Sequence, residues 1–164
     1  MGKKEDFEQF ILLKEMNLKF NLDIKDIDIK ELNLGDNKIS NIEVFEKVNF
    51  KELKRLWLYL NNISDVKVLE KVKFENLREL ELGGNGIYNI NVLEKVNFKE
   101  LRKLGLYTNF ILDISVLEKV KFDKLELLNL GGNEISNIDV LEKVNFKNLK
   151  GLFLFKNKIS NIKV

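Results

Sequence analysis

Cysteine, histidine and proline are all missing from the 164 residues, and tryptophan occurs once. Without cysteine there is no disulfide, no thiolate metal site and no thiol nucleophile; such a chain suits a reducing cytosol without requiring one. The compartment therefore stays open, with the cytoplasm slightly favoured. Without histidine the commonest acid-base side chain is gone. Hydroxyls are scarce, and Ser40, Ser64, Ser136 and Ser160 recur at one position of a repeating pattern, which marks them as scaffold rather than nucleophiles. Charge of one sign is lacking too. The 28 basic and 26 acidic residues leave a formal charge of +2, too little to hold a phosphate backbone or an anionic bilayer. No apolar run approaches the roughly 18 residues of a membrane span. The opening MGKKEDFEQFILLKEM has no cleavage pattern, and Asp6 stands where a myristoylation signal needs Ser or Thr. These absences predict a chain that is not an enzyme, needs no cofactor or metal, and has neither nucleic acid nor membrane as its partner.

What is present is a repeat. Copies begin at Ile29, Leu53, Leu77, Leu101, Leu125 and Leu149, each 24 residues after the last, and share the frame LxxLxLxxNxIxxIxVLEKVxFxx. In LKRLWLYL, Leu56 and Leu58 alternate with Arg55, Trp57 and Tyr59, the period of a strand with one buried face. One strand per copy cannot satisfy its own backbone, so the copies must stack as a parallel sheet at about 4.8 Å spacing. A chain reversal follows at Asn37, Asn61, Asn85, Asn109, Asn133 and Asn157, where a short amide can bond unpaired backbone groups. In VLEKV, Val68, Leu69 and Val72 share one side of a short helical turn. Phe50, Phe74, Phe98, Phe122 and Phe146 wedge behind it as core, and the recurrent Glu70-Lys71 pair reads as a solvated outer stripe.

This frame resembles the leucine-rich repeat family, nearest its regular internalin-like and phosphatase-regulator-like classes, over Ile29 to Val164. The resemblance implies an α/β solenoid with a concave parallel β-sheet, short helical turns on the convex side and a buried asparagine ladder. It also implies a protein- or peptide-recognition role. Two extra residues per copy and the VLEKVxF half set this chain apart from those classes.

Residues 1–28 lie outside the frame and read as an N-terminal cap. Phe7, Phe10, Ile11 and Lys14 predict an amphipathic helix near Glu5 to Met16, and Leu18, Phe20, Leu22 and Ile24 an extended segment after it. Asp23, Asp26 and Asp28 do not have the spacing of a calcium loop. Residues 29–164 form the six repeats, the last truncated. Such an end predicts a segment cut from a longer array, a self-capping copy, or self-association through the uncapped repeat.

Function should lie where the copies differ. The strand-face positions read Glu31, Asn33, Gly35; Arg55, Trp57, Tyr59; Glu79, Glu81, Gly83; Lys103, Gly105, Tyr107; Leu127, Asn129, Gly131; and Gly151, Phe153, Phe155. Glycine in odd copies alternates with a ring in even ones, a period of 48 that duplication of a two-repeat unit explains. Either the rings lie on the neighbouring glycines, or they stand as ridges with grooves about 10 Å apart. Tyr88, Phe110 and Leu112 depart from the frame near Tyr107 and would enlarge an aromatic patch. GGNG at Gly83 to Gly86 has no phosphate-loop spacing and reads as a turn. The candidate partner-binding residues are therefore Arg55, Trp57, Tyr59, Glu79, Glu81, Tyr88, Lys103, Tyr107, Phe110, Phe153 and Phe155, with Arg55, Glu79, Glu81 and Lys103 setting orientation. Two alternatives stay open: a structural or engineered array segment without a concave ligand, and a carbohydrate binder stacking sugars on its rings.

Overall fold

The computed structural model describes residues 2–20 and 22–160, with side chains from residue 8 onward. Helix α1 (Gly2–Phe20) is followed by six short strands: β1 (Glu31–Asn33), β2 (Arg55–Trp57), β3 (Glu79–Glu81), β4 (Lys103–Gly105), β5 (Leu127–Asn129) and β6 (Gly151–Phe153). They pair in chain order as one parallel sheet. The register advances by one copy per strand, so Leu32 lies beside Leu56, Leu56 beside Leu80, and Leu80 beside Leu104. Each such leucine is buried up to Leu128, which is why one strand face is uniformly apolar. Backbone bonds continue past the strands, as from Leu58 N–H to Glu81 O at 2.8 Å and from Leu82 N–H to Gly105 O at 2.7 Å.

The reversal after each strand needs a left-handed residue. Asp36, Leu60, Gly84, Thr108, Gly132 and Lys156 occupy one frame position, and all have φ between 51° and 68°. Only two of the six are glycine, so the other side chains accept a strain of about 1 kcal/mol each, held by the ladder beyond. In that ladder Asn61 donates to Leu34 O at 2.8 Å and Leu58 O at 3.0 Å, while its Oδ1 accepts from Asn37 N–H and Ile39 N–H. Asn85, Asn109 and Asn133 repeat the arrangement in the interior, and Asn157 repeats it half-buried. Asn37 departs from the expected ladder. It is exposed and donates only locally, to Gly35 O, because a rung needs the carbonyl of a preceding copy.

The convex side carries 3-10 turns at Glu43–Glu46, Lys67–Glu70, Asn91–Glu94, Ser115–Glu118 and Asp139–Glu142. Asn41, Asp65, Asn89, Asp113 and Asn137 lead into them, each accepting the N–H two residues on. Val68, Leu69, Val72 and Phe74 are buried as expected, and Phe50, Phe98 and Phe122 likewise; Phe146 is only half-buried. The Glu-Lys stripe is a ladder of exposed ion pairs, Lys71 with Glu46, Lys95 with Glu70 and Lys119 with Glu94, each worth little in water.

The N-terminal reading needs two corrections. Leu18 and Phe20 are helical rather than extended, because the buried stripe of α1 is Leu13, Met16 and Phe20 at helical spacing. Phe10 and Ile11 are exposed for the same reason, with Lys14 lying over the Phe10 ring; the expected position of Phe7 falls outside the described side chains. Asn17 then pins the segment after the helix, donating to Ile24 O and accepting from Ile24 N–H. α1 covers the first coil through Phe20, whose ring lies 6.4 Å from that of Phe45. Phe45 replaces the Leu of VLEKV in the first copy alone, and it also meets Phe50 and Phe74. At the other end Leu152, Phe153 and Phe155 are 38%, 44% and 55% exposed. The last four residues of the sixth copy fall outside the described chain.

Candidate functional site

The alternate strand positions that face away from the core form three rows across the sheet. In the first row charges alternate, Glu31, Arg55, Glu79 and Lys103, because successive copies place opposite signs at register partners. Arg55 pairs with Glu31. Glu79 accepts a 2.7 Å bond from the Trp57 indole N–H and lies 3.6 Å from the Lys103 ammonium. Arg55, Glu79 and Lys103 are therefore committed to neighbours within the sheet, and Trp57 is fixed by its indole.

In the third row the rings lie on the glycines. A Cβ built on Gly35 would stand 2.4 Å from the Tyr59 ring, on Gly83 2.2 Å from Tyr107, and on Gly131 2.5 Å from Phe155. Of the two arrangements the alternation allows, the rings thus take the flat one, a floor of plates with one ring over each glycine of the preceding strand, rather than ridges and grooves. The physical reason is the exposed backbone of a strand glycine, which an aromatic ring covers at little cost. Tyr59 and Tyr107 are half-buried, so each keeps one face toward solvent. Burial, with Glu81 and then Tyr59 nearby, holds the Tyr107 hydroxyl above its ordinary pKa.

The middle row contains Trp57, Glu81, Gly105, Asn129 and Phe153. Gly105 leaves room for the Glu81 carboxylate, whose Oε2 lies 1.7 Å from where a Cβ on Gly105 would be. Among the described residues no donor or cation pairs with it. Burial foremost, and then the charge of Glu79, push the Glu81 carboxyl up to about 7, with Lys103 opposing.

Tyr88 and Phe110 are not on these rows. They follow the asparagine turn, on the flank between sheet and 3-10 turns, together with Leu112; the three are 63%, 59% and 62% exposed. Phe110 N–H donates to Ile87 O, which sets it beside Tyr88, and Leu112 holds the same frame position as Tyr88 one copy on. Next to Tyr88 a cleft of about 270 Å³ opens between two 3-10 turns, lined by Asp65, Lys67, Glu70, Asn91 and Lys95 among others. Of the acidic residues 23, 26 and 28, Asp26 accepts the Asp28 N–H. Among the described residues no helix is long and apolar enough to cross a membrane.

No family model and no curated protein matches the chain. Solved structures do. An internalin from Listeria monocytogenes superposes with a TM-score of 0.66 at 30% identity, over 81% of this chain and 36% of that one. A leucine-rich repeat protein from Leptospira interrogans gives 0.68 at 24% identity, over 91% and 35%. The plant peptide hormone receptor RGFR1, in complex with RGF2, gives 0.59 at 21% identity over 78% and 20%, a likeness of fold alone. The chain spans little more than a third, or less, of each of these chains. Six copies in register, a parallel sheet in chain order and a buried asparagine ladder agree with these matches, and the chain has the fold of a leucine-rich repeat solenoid.

Proposed function

We propose that the chain is a protein- or peptide-recognition module whose partner lies on the concave face. The observation that carries this reading is the floor itself: Tyr59 and Tyr107 held flat on glycine, with Trp57 fixed by Glu79 beside them. Rigid aromatic surface is the kind that anchors interfaces, because little side-chain entropy remains to be lost on binding. Phe153 and Phe155 extend the floor toward β6, and Tyr88 and Phe110 add a second contact where a partner passes over the flank. Glu81 supplies an uncommitted charge, whereas Arg55, Glu79 and Lys103 keep the floor in shape.

Panning random displayed dodecapeptides against the chain tests the reading. Enriched peptides should lose at least tenfold in affinity when Trp57 and Tyr59 are both changed to Ala, and should be indifferent to Lys71→Ala on the convex stripe. Binders that tolerate the double change would sink the concave assignment.

A second reading rests on the exposed Leu152 and Phe153 of the last described coil and on the free edge of β6. Self-association through β6 of two copies would close as a two-fold dimer rather than extend as a filament. Light scattering across a concentration series separates the cases; a strict monomer removes the dimer.

A further inference from the structure

Charge accounting on the concave face leaves one group over. Glu31 is taken by Arg55, and Glu79 by both Trp57 and Lys103. Glu81, at the centre of the same face, is half-buried over Gly105 and meets no donor among the described residues. A carboxylate drawn partly out of water without a compensating bond is unfavourable, and an incoming cation relieves it. The surroundings favour a cation over a neutral donor. Trp57 is its register neighbour on β2, and Tyr107, two residues beyond Gly105, lies close enough for the Glu81 charge to act on its hydroxyl, so a ring stands on each neighbouring strand's side of Glu81. Rings beside a carboxylate suit a cation, which gains from the ring quadrupole as well as from the charge.

We infer that the partner presents a lysine or arginine side chain, which seats on Glu81 between the rings of Trp57 and Tyr107. The inference rests on the concave-face reading and names the chemistry of its partner. It carries a pH signature. The charged groups that act on Glu81 are Glu79 on β3 and Lys103 on β4, with the Tyr107 hydroxyl close by and Arg55 of β2 on the same sheet face but paired with Glu31, and the Glu81 carboxyl itself is pushed up to about 7. A cation binds the ionised form, so affinity rises with pH across that value.

The test uses the peptides enriched above at pH 8. Lysine or arginine should be over-represented in them. Changing that residue to norleucine in the peptide should cost about tenfold or more in affinity, and so should Glu81→Gln in the protein. Lowering the pH from 8 to 6 should also weaken wild-type binding about tenfold, since the ionised fraction of a group titrating near 7 falls by that factor; the Glu81→Gln protein should show no such loss. Peptides that need Trp57 and Tyr59 but carry no basic residue, or that ignore Glu81→Gln, would overturn this inference and leave the concave-face reading standing. Peptides indifferent to the Trp57 and Tyr59 changes, or no enrichment at all, would overturn both. Because the peptide-side change leaves the protein intact, a folding defect in Glu81→Gln cannot imitate the result.

Discussion

Glu81 is held in an environment that disfavours its charge, and this links folding to pH. Its folded pKa, about 7, lies above the value of 4.5 for a free glutamate, with burial the largest cause and Glu79 the next. A carboxyl raised in this way stabilises the fold fully below pH 4.5, and the contribution is lost as pH climbs through 7. The carboxylate is still partly solvated, so after allowance for screening the loss is about 1 kcal/mol. Glu81→Gln should accordingly melt like the parent at pH 4 and higher than the parent at pH 8, by scanning calorimetry. An equal melting temperature at both pH values would mean that Glu81 is solvated. The role of Glu81 was only half legible in the sequence. Periodicity placed it on the outward face beside Glu79, but it could not tell which cations were already spent, since those pairings run between register partners 24 residues apart.

At the scale of elements, the strands and their glycines form coupled pairs. The ring of Tyr107 occupies the space a methyl group on Gly83 would need. Gly83→Ala must therefore lift the ring and forfeit the area it covers, a cost of about 1–2 kcal/mol. Tyr107→Ala loses the same cover from the other side. The double change should cost little more than either single change, giving a coupling energy of about 1 kcal/mol in denaturant melts. Additive losses would show that the ring does not rest on the glycine. The alternation of glycine and ring was visible as a 48-residue period, yet duplication explains it equally well, and only the cross-strand geometry distinguishes flat plates from free ridges. The repeat itself was fully legible, because a frame recurring six times leaves the sheet order no freedom. The cap was not. Leu18 to Ile24 alternates like a strand, but Leu13, Met16 and Phe20 also fit a helix, and packing against Phe45 decides in favour of the helix through Phe20.

At the scale of the whole molecule, each copy touches mainly its neighbours, so stability is a sum of local terms that need not be even along the chain. The first coil is closed by α1, where Gln9 donates to Lys47 O and accepts from Asn49 N–H in addition to the contact between Phe20 and Phe45. The middle coils bury both Val and Leu of their 3-10 turns. The turn at Asp139–Glu142 buries neither, and Asn157 forms its rung only half-buried. Opening should therefore begin at the β6 side and move inward. Amide exchange measures this directly: Leu58 and Leu82 N–H should exchange last, and Leu130 N–H, bonded to Phe153 O, should exchange well before them. Raising the protein concentration separates a frayed coil from a paired one. If β6 stays an open edge, the protection of Leu130 is independent of concentration; if two copies join there, its protection climbs with concentration toward that of Leu82, and the gradient along the solenoid flattens.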